Sequence, residues 1–198
     1  MASKLTTLFA ACLTALWGCA DAEDSQERAD IVPVTQWDNH PQGALWTDAT
    51  LLALSNAGAA LLRSVPSDIS TFCPAYPDQS PDARAAFWTS LLSALAGYES
   101  TWNPDAVGGG GRWYGLVQIA PATARGYGCA ATTGEALKSG EANLSCAVRI
   151  WSQTVIRDNA VALSNGRRAG IAADWGPMTQ SAKRADMAAY TRSLSYCE

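Results

Sequence analysis

The chain has 198 residues, 48% of them hydrophobic and 16% charged, with 8 Trp, 6 Cys and a single His. That length suits one domain of ordinary size, and the apolar share excludes wholesale disorder. Fourteen basic against 18 acidic residues leave a net charge of −4, which argues against a nucleic-acid footprint. One histidine leaves little room for a multi-histidine metal site, so neither a metal nor a cofactor is expected.

Lys4 precedes an uncharged, largely apolar run from Leu5 to Trp17. It is too short for a bilayer, which takes roughly 20 residues, and residues 1–19 read as a secretory signal peptide. Leu16-Trp17-Gly18-Cys19 resembles a bacterial lipobox, which would make Cys19 the lipidated new N-terminus and a membrane anchor. Trp17 departs from that motif, and plain cleavage after Ala20 or Ala22 is the alternative. The expected location is periplasmic or outer-membrane-associated, or otherwise secreted. In an oxidising compartment Cys73, Cys129, Cys146 and Cys197 suggest two disulfides. Of the three possible pairings, a local Cys129–Cys146 clasp with a Cys73–Cys197 staple is favoured. Each would stabilise by about 3–5 kcal/mol.

Residues 20–44 begin with an acidic, aromatic-free stretch and read as a flexible tether, with the folded domain at 45–198. The tether and signal take six acids and two bases with them, leaving 12 of each sign in the domain. A neutral body suits a sugar better than a polyanion. The first predicted helix is capped by Thr47-Asp48 and runs to about Arg63-Ser64. The next starts at Ser80-Pro81-Asp82, where a cap, a first-turn proline and an early acid coincide. Within it Trp88, Leu92, Leu95 and Glu99 share one face. Four glycines, Gly108 to Gly111, call for a loop. Thr132-x-x-Glu135 reads as a capping box, and further helices are predicted over 141–158 and 181–194.

Glu99 is the residue that carries chemistry. On an apolar face and at a helix end, its carboxylate is disfavoured by desolvation and by the unpaired carbonyls, which raises its pKa toward what a general acid needs. Glu99-Ser100-Thr101-Trp102-Asn103-Pro104, followed after the glycines by Gly115-Leu116-Val117-Gln118 and Pro121-Ala122-Thr123-Ala124, resembles the soluble lytic transglycosylase domain. Asn143-Leu144-Ser145-Cys146-Ala147-Val148 is a weaker match to a further family segment. The resemblance covers roughly 85–195.

It implies a mainly α, lysozyme-like single domain with at most a small β-hairpin. It also implies cleavage of peptidoglycan glycan strands between N-acetylmuramic acid and N-acetylglucosamine, with a 1,6-anhydro product. By that resemblance Glu99 is the catalytic acid/base, Ser100 orders the site beside it, and Gln118 contacts substrate. Val117 replaces a methionine as an apolar wall, Gly115 lets the backbone approach the sugar, and Tyr190 falls near a tyrosine of the last helix. The family's A-Y-N-A-G segment has only a loose echo in Ala172-Ala173-Asp174-Trp175-Gly176-Pro177.

Trp102, Trp113, Tyr114 and Trp175 flank the motifs and could cover sugar faces, with core packing as the alternative for Trp102, Trp113 and Tyr114. Trp88 and Trp151 read as core. Asp105 and Asp174 are the candidates for a second carboxylate, although Asp105 reads as a turn residue. His40 is expected to be exposed. Hydrolysis by a muramidase, or glycan binding without cleavage, are the alternatives.

Overall fold

The computed structural model describes Met1 and residues 31–198. The signal-peptide, lipidation and cleavage-site readings at Cys19, and the first part of the tether, lie outside the described residues. Of those described, 54% are helical and 5% are in strands, so the chain is mainly α. Seven α-helices appear among the described residues, in chain order: α1 Gly43–Ser55, α2 Ala59–Arg63, α3 Pro81–Ser100, α4 Pro121–Gly126, α5 Gly140–Asp158, α6 Gly176–Thr179 and α7 Ser181–Arg192. Two antiparallel hairpins interrupt them, β1 Val107–Gly108 with β2 Trp113–Tyr114, and β3 Leu163–Ser164 with β4 Arg167–Arg168.

α3 is the central helix. It starts as its sequence predicts, with Ser80 Oγ accepting from the Ala83 N–H at 3.2 Å and Pro81 in the first turn. The single apolar stripe underestimates it, because every residue from Ala85 to Ala96 is buried. Such a helix is covered on all sides. Its hydroxyls are satisfied locally, Thr89 donating to Ala85 O at 2.8 Å and Ser93 to Ser90 O at 2.7 Å. α5 is capped by Ser139 and ends at Asn159 in the left-handed region, φ 48°. Tyr76, Phe87, Trp88, Trp151 and Trp175 pack largely edge to face from α3 across α5 toward α6. This aromatic row forms the centre of the core, where Trp88 and Trp151 are fully buried.

Three local expectations are corrected. The first helix starts at Gly43 rather than at Thr47, and it breaks after Ser55 before resuming at Ala59. Thr47 does not cap it, since its hydroxyl accepts from Trp37 Nε1 at 2.9 Å. At the break, a Cβ on Gly58 would lie 2.5 Å from Val148 of α5, so only glycine permits that approach. The Thr132 capping box gives a 3-10 turn, Ala136–Lys138, in which Thr133 accepts from Ala136 N at 3.2 Å and Glu135 pairs with Lys138 at 2.8 Å.

The described part of the tether, residues 31–44, belongs to the fold. Trp37 is buried, Val34 O accepts from Tyr190 Oη at 2.8 Å and from Ser90 Oγ at 2.6 Å, and Gln36 N donates to Ser93 Oγ at 3.0 Å. His40 is half-buried and stacks on Trp46, with centroids 4.3 Å apart. An indole and a line of backbone hydrogen bonds outweigh what the polar composition suggested.

Both disulfides form in the favoured pairing, Cys73–Cys197 with Cα atoms 4.5 Å apart and Cys129–Cys146 at 5.2 Å. No helix among the described residues is long and apolar enough to cross a membrane.

Candidate active site

Glu99 is the penultimate residue of α3, whose last turn closes on Thr101 in the left-handed region at φ 54°. Its side chain lines a cleft of about 310 Å³ together with Trp113, Gln118, Asp174, Trp175, Gly176 and Pro177. A smaller hollow continues from Trp113, Gln118, Asp174 and Trp175 to Ala120 and Thr123 at the start of α4. The two form a trough with Trp113 and Trp175 in its lining, and the half-buried Glu99 lines its larger part. Burial pushes the Glu99 carboxyl up to about 7, and the Lys183 charge opposes that rise. At neutral pH the group is therefore poised between acid and base.

The Gly115–Gln118 stretch is brought beside Glu99 by hydrogen bonds from both sides. Ser100 Oγ donates to Leu116 O at 2.8 Å, tying the end of α3 to this loop. The same hydroxyl reaches Ala96 O at 3.2 Å, so Ser100 bridges the helix end and the loop. Asn143, fully buried near the start of α5, accepts from Val117 N at 2.9 Å and donates from Nδ2 to Tyr114 O at 2.9 Å and Leu137 O at 3.0 Å. Trp175 Nε1 then donates to Val117 O at 2.8 Å. The loop between the hairpin and α4 is thus held by one serine, one asparagine and one indole.

Gln118 sits at φ 51° and faces the cleft. Its Nε2 donates to Ala106 O at 3.1 Å and Gly115 O at 2.9 Å, and its amide oxygen has no hydrogen-bond partner among the described residues. A Cβ on Gly108 would fall 2.2 Å from that oxygen, so the glycine run makes room for Gln118.

Several expected substrate contacts are elsewhere. Val117 is fully buried, so its side chain is core and no wall of the cleft. Gly115, at φ 80°, is needed because a Cβ there would lie 2.1 Å from Leu137 O, and the close approach is to protein rather than to sugar. Strand alternation separates Trp113 from Tyr114. Trp113 is 42% exposed and lines the cleft, whereas Tyr114 turns to the other face, its hydroxyl donating to Gly111 O at 2.7 Å and its ring against Gly134. Tyr190 does not line the cleft, and its hydroxyl is given to Val34 O. Trp102 folds back onto α3, Nε1 donating to Ser93 O at 2.9 Å. Asp105 makes the expected turn, its N–H donating to Asn103 Oδ1 at 3.0 Å, and it lies away from the cleft.

Asp174 does share the cleft with Glu99. Partial burial raises its carboxyl above the ordinary range, opposed first by the Tyr127 hydroxyl that donates to Oδ2 at 3.4 Å. The spacing between Glu99 and Asp174 along the chain carries no sign of this meeting. Asn143 was the other partner hard to see, although an asparagine one turn into a helix, beside buried Leu144, is a usable signal for a buried clamp.

Replacing Asn143 with alanine is expected to cost about 2–4 kcal/mol, because it leaves Val117 N, Tyr114 O and Leu137 O without their partner in a dry site. Thermal or denaturant unfolding measures the loss. The same variant should cleave more slowly at temperatures where it is still folded, since the Gln118 loop loses its clamp.

Residues 79–164 match the family described as Transglycosylase SLT domain. Solved structures of Bd0314 DslA, a wild-type form and two glutamate-to-glutamine mutants, share 27% identity with this chain at a TM-score of 0.75, covering 84% of it and 98% of their own length. No curated protein matches the sequence. The motif pair, the mainly α fold and the family match agree: residues 79–164 form a transglycosylase SLT domain, that of a peptidoglycan lytic transglycosylase of lysozyme-like fold.

Proposed function

We propose that Glu99 is the general acid and base of this enzyme, acting on the β-1,4 bond between N-acetylmuramic acid and N-acetylglucosamine. The observation that carries the reading is the half-buried Glu99 carboxyl, pushed up to about 7, in a trough lined by Trp113, Trp175 and Gln118. In the first step the protonated acid gives its proton to the glycosidic oxygen as the bond from the muramyl C1 breaks and an oxocarbenium-like sugar develops. In the second, the Glu99 carboxylate takes the proton of the muramyl 6-hydroxyl while that oxygen bonds to C1. The acid is regenerated, no water is consumed, and the product is a 1,6-anhydro sugar. The exposed part of the Trp113 indole, over which the Arg112 guanidinium lies at 4.9 Å from the ring centre, offers apolar surface to a pyranose, and the Gln118 amide oxygen accepts from a sugar hydroxyl or acetamido N–H.

A second reading is favoured by Asp174. Hydrolysis uses two carboxyl groups around the scissile bond, one to activate water or to attack C1. A carboxylate sharing the cleft with Glu99 supplies a candidate for that role, and the protein would then act as a muramidase. Mass spectrometry of muropeptides released by the purified protein separates the two. An anhydro end supports transglycosylation, and a reducing end, with water oxygen incorporated, supports hydrolysis.

The same acid sets a pH dependence. Cleavage should hold steady below about 7 and fall as Glu99 ionises above it. Stability follows the same sign: a carboxyl raised on folding contributes fully below its unfolded value of about 4.3, and the contribution is lost as pH rises through the folded value. Glu99→Gln is therefore expected to gain in melting temperature relative to the wild type between pH 5 and about 8. A gap that does not change with pH would contradict the burial of this carboxyl.

Export is the third part of the proposal. Two disulfides suit an oxidising compartment, the substrate lies outside the cytoplasm, and the N-terminal run reads as a signal with Cys19 as the lipid attachment point. Metabolic labelling with a radioactive fatty acid tests the anchor, with Cys19→Ala as the control that should abolish incorporation.

A further inference from the structure

A second concavity, of about 620 Å³, opens between the C-terminal end of α5 and the β3–β4 hairpin. Arg157, Arg167 and Arg168 line it, together with Asp158, Ser164 and Asn165. Asp158 is already engaged: it pairs with Arg157 at 2.7 and 2.8 Å and accepts from Gly170 N at 2.8 Å. Arg167 and Arg168 are exposed and, among the described residues, pair with no carboxylate. Three guanidiniums against one carboxylate leave a local excess of two positive charges in the hollow of a domain that is neutral as a whole.

The hairpin that carries them is well anchored. Asn165 and Gly166 take positive φ values of 49° and 74°, as a tight two-residue turn requires. At its base the Asp68 carboxylate accepts from three successive N–H groups, of Val161 at 2.6 Å, Ala162 at 2.9 Å and Leu163 at 2.8 Å. The two arginines are therefore presented on a fixed scaffold, where less ordering accompanies binding.

The hollow also abuts the cleft. Ala173 lines it, and the next residue, Asp174, lines the cleft with Glu99. Arg157 lies beside the Tyr127 hydroxyl, which donates to Asp174. A substituent projecting from a sugar in the trough on this side would meet the guanidiniums.

We propose that this hollow is a second binding site, for the free carboxylates of the peptide stem borne by a muramyl residue seated in the cleft. The proposal rests on the peptidoglycan-cleaving reading given above. Planar guanidinium forks match carboxylates in a bidentate geometry, and the two unpaired ones here have that capacity unspent. The site makes the enzyme sensitive to the peptide as well as to the glycan, and it gives the charge on the stem a say in where the strand is cut.

The test compares wild type with R167Q/R168Q, a change confined to exposed side chains, on three forms of uncrosslinked glycan strand. One keeps its stems, one has had them removed, and one has its stem carboxylates amidated. For the wild type, kcat/KM on the acidic stems should exceed the other two by about tenfold, the scale of one or two partly exposed charge-assisted contacts. In the double variant that preference should vanish while the rate on bare strands stays unchanged. A variant that keeps the preference, or one that slows equally on all three, overturns the proposal. If the wild type cleaves none of them, the cleavage reading fails. The hollow is then judged by equilibrium binding of a soluble muramyl peptide: about tenfold weaker binding to R167Q/R168Q upholds it, and equal binding overturns it.

Discussion

Glu99→Gln is expected to lower peptidoglycan cleavage by about 10²–10⁴-fold with the fold retained, the range that a positioned acid/base contributes. The amide has the size and shape of the carboxyl, so the trough with Trp113, Gln118 and Trp175 keeps its form. On the mechanism proposed above, what is lost is a group that can release a proton to the glycosidic oxygen and later take one from the 6-hydroxyl. Because burial disfavours the carboxylate at this site, the neutral amide should also fold at least as stably at pH 7 and above. Soluble muropeptide release, measured beside the far-ultraviolet circular dichroism and the melting temperature, gives both halves of the result. A folded Glu99→Gln protein that cleaves at the wild-type rate would remove Glu99 from the reaction. An inactive one with wild-type substrate binding would place the loss in the chemical step.

Removing the Cys73–Cys197 bridge by a double serine substitution is expected to cost about 5 kcal/mol, the loop-closure value for so long a loop. The separation is 124 residues, against 17 for Cys129–Cys146, whose loss should cost about 3 kcal/mol. For a domain of this size the longer loop corresponds to a fall in melting temperature of about 10–15 °C. The bridge also joins segments that meet only in the folded state. Around it, Ala75 N donates to Cys197 O at 3.2 Å and Thr191 Oγ1 donates to Phe72 O at 2.8 Å, so α7 and the segment before α3 are held to one another. Those hydrogen bonds keep the native geometry available to the double variant, and it should still fold. Calorimetry of the oxidised protein and the two bridge variants orders the effects; equal melting points for all three would show that neither bridge constrains the unfolded chain.

α3 and α5 were legible because local chemistry marks them. Ser80-Pro81-Asp82 sets one start and Ser139 caps the other, each followed by apolar residues that bury the whole middle of α3 and one side of α5. The cysteine positions favour the pairing that forms, and Glu99 stands out because a carboxylate on an apolar stripe is rare. The segment at 31–44 was misread because composition weighs every residue alike, whereas the burial of Trp37 and the hydrogen bonds from Ser90, Ser93 and Tyr190 are made one residue at a time.

The family motifs brought the right loop to Glu99 but did not say which of its residues face the trough. Ser100, Gly115 and Val117 hold that loop and Tyr114 turns to the glycine run, whereas Gln118 and Trp113 line the trough.

The amino-acid sequence alone determined the helical class, the sheltered acid and the cysteine framework, since each depends on spacing or on residue chemistry within a short window. Tertiary structure alone decided that Asp174 joins Glu99 in one cleft, that Asn143 clamps the Gly115–Gln118 loop, and that Arg167 and Arg168 line a neighbouring hollow. Those meetings depend on how α5, α6 and the second hairpin pack about α3. A side chain's neighbours across such a packing are set by the sum of many weak contacts, which no local pattern records.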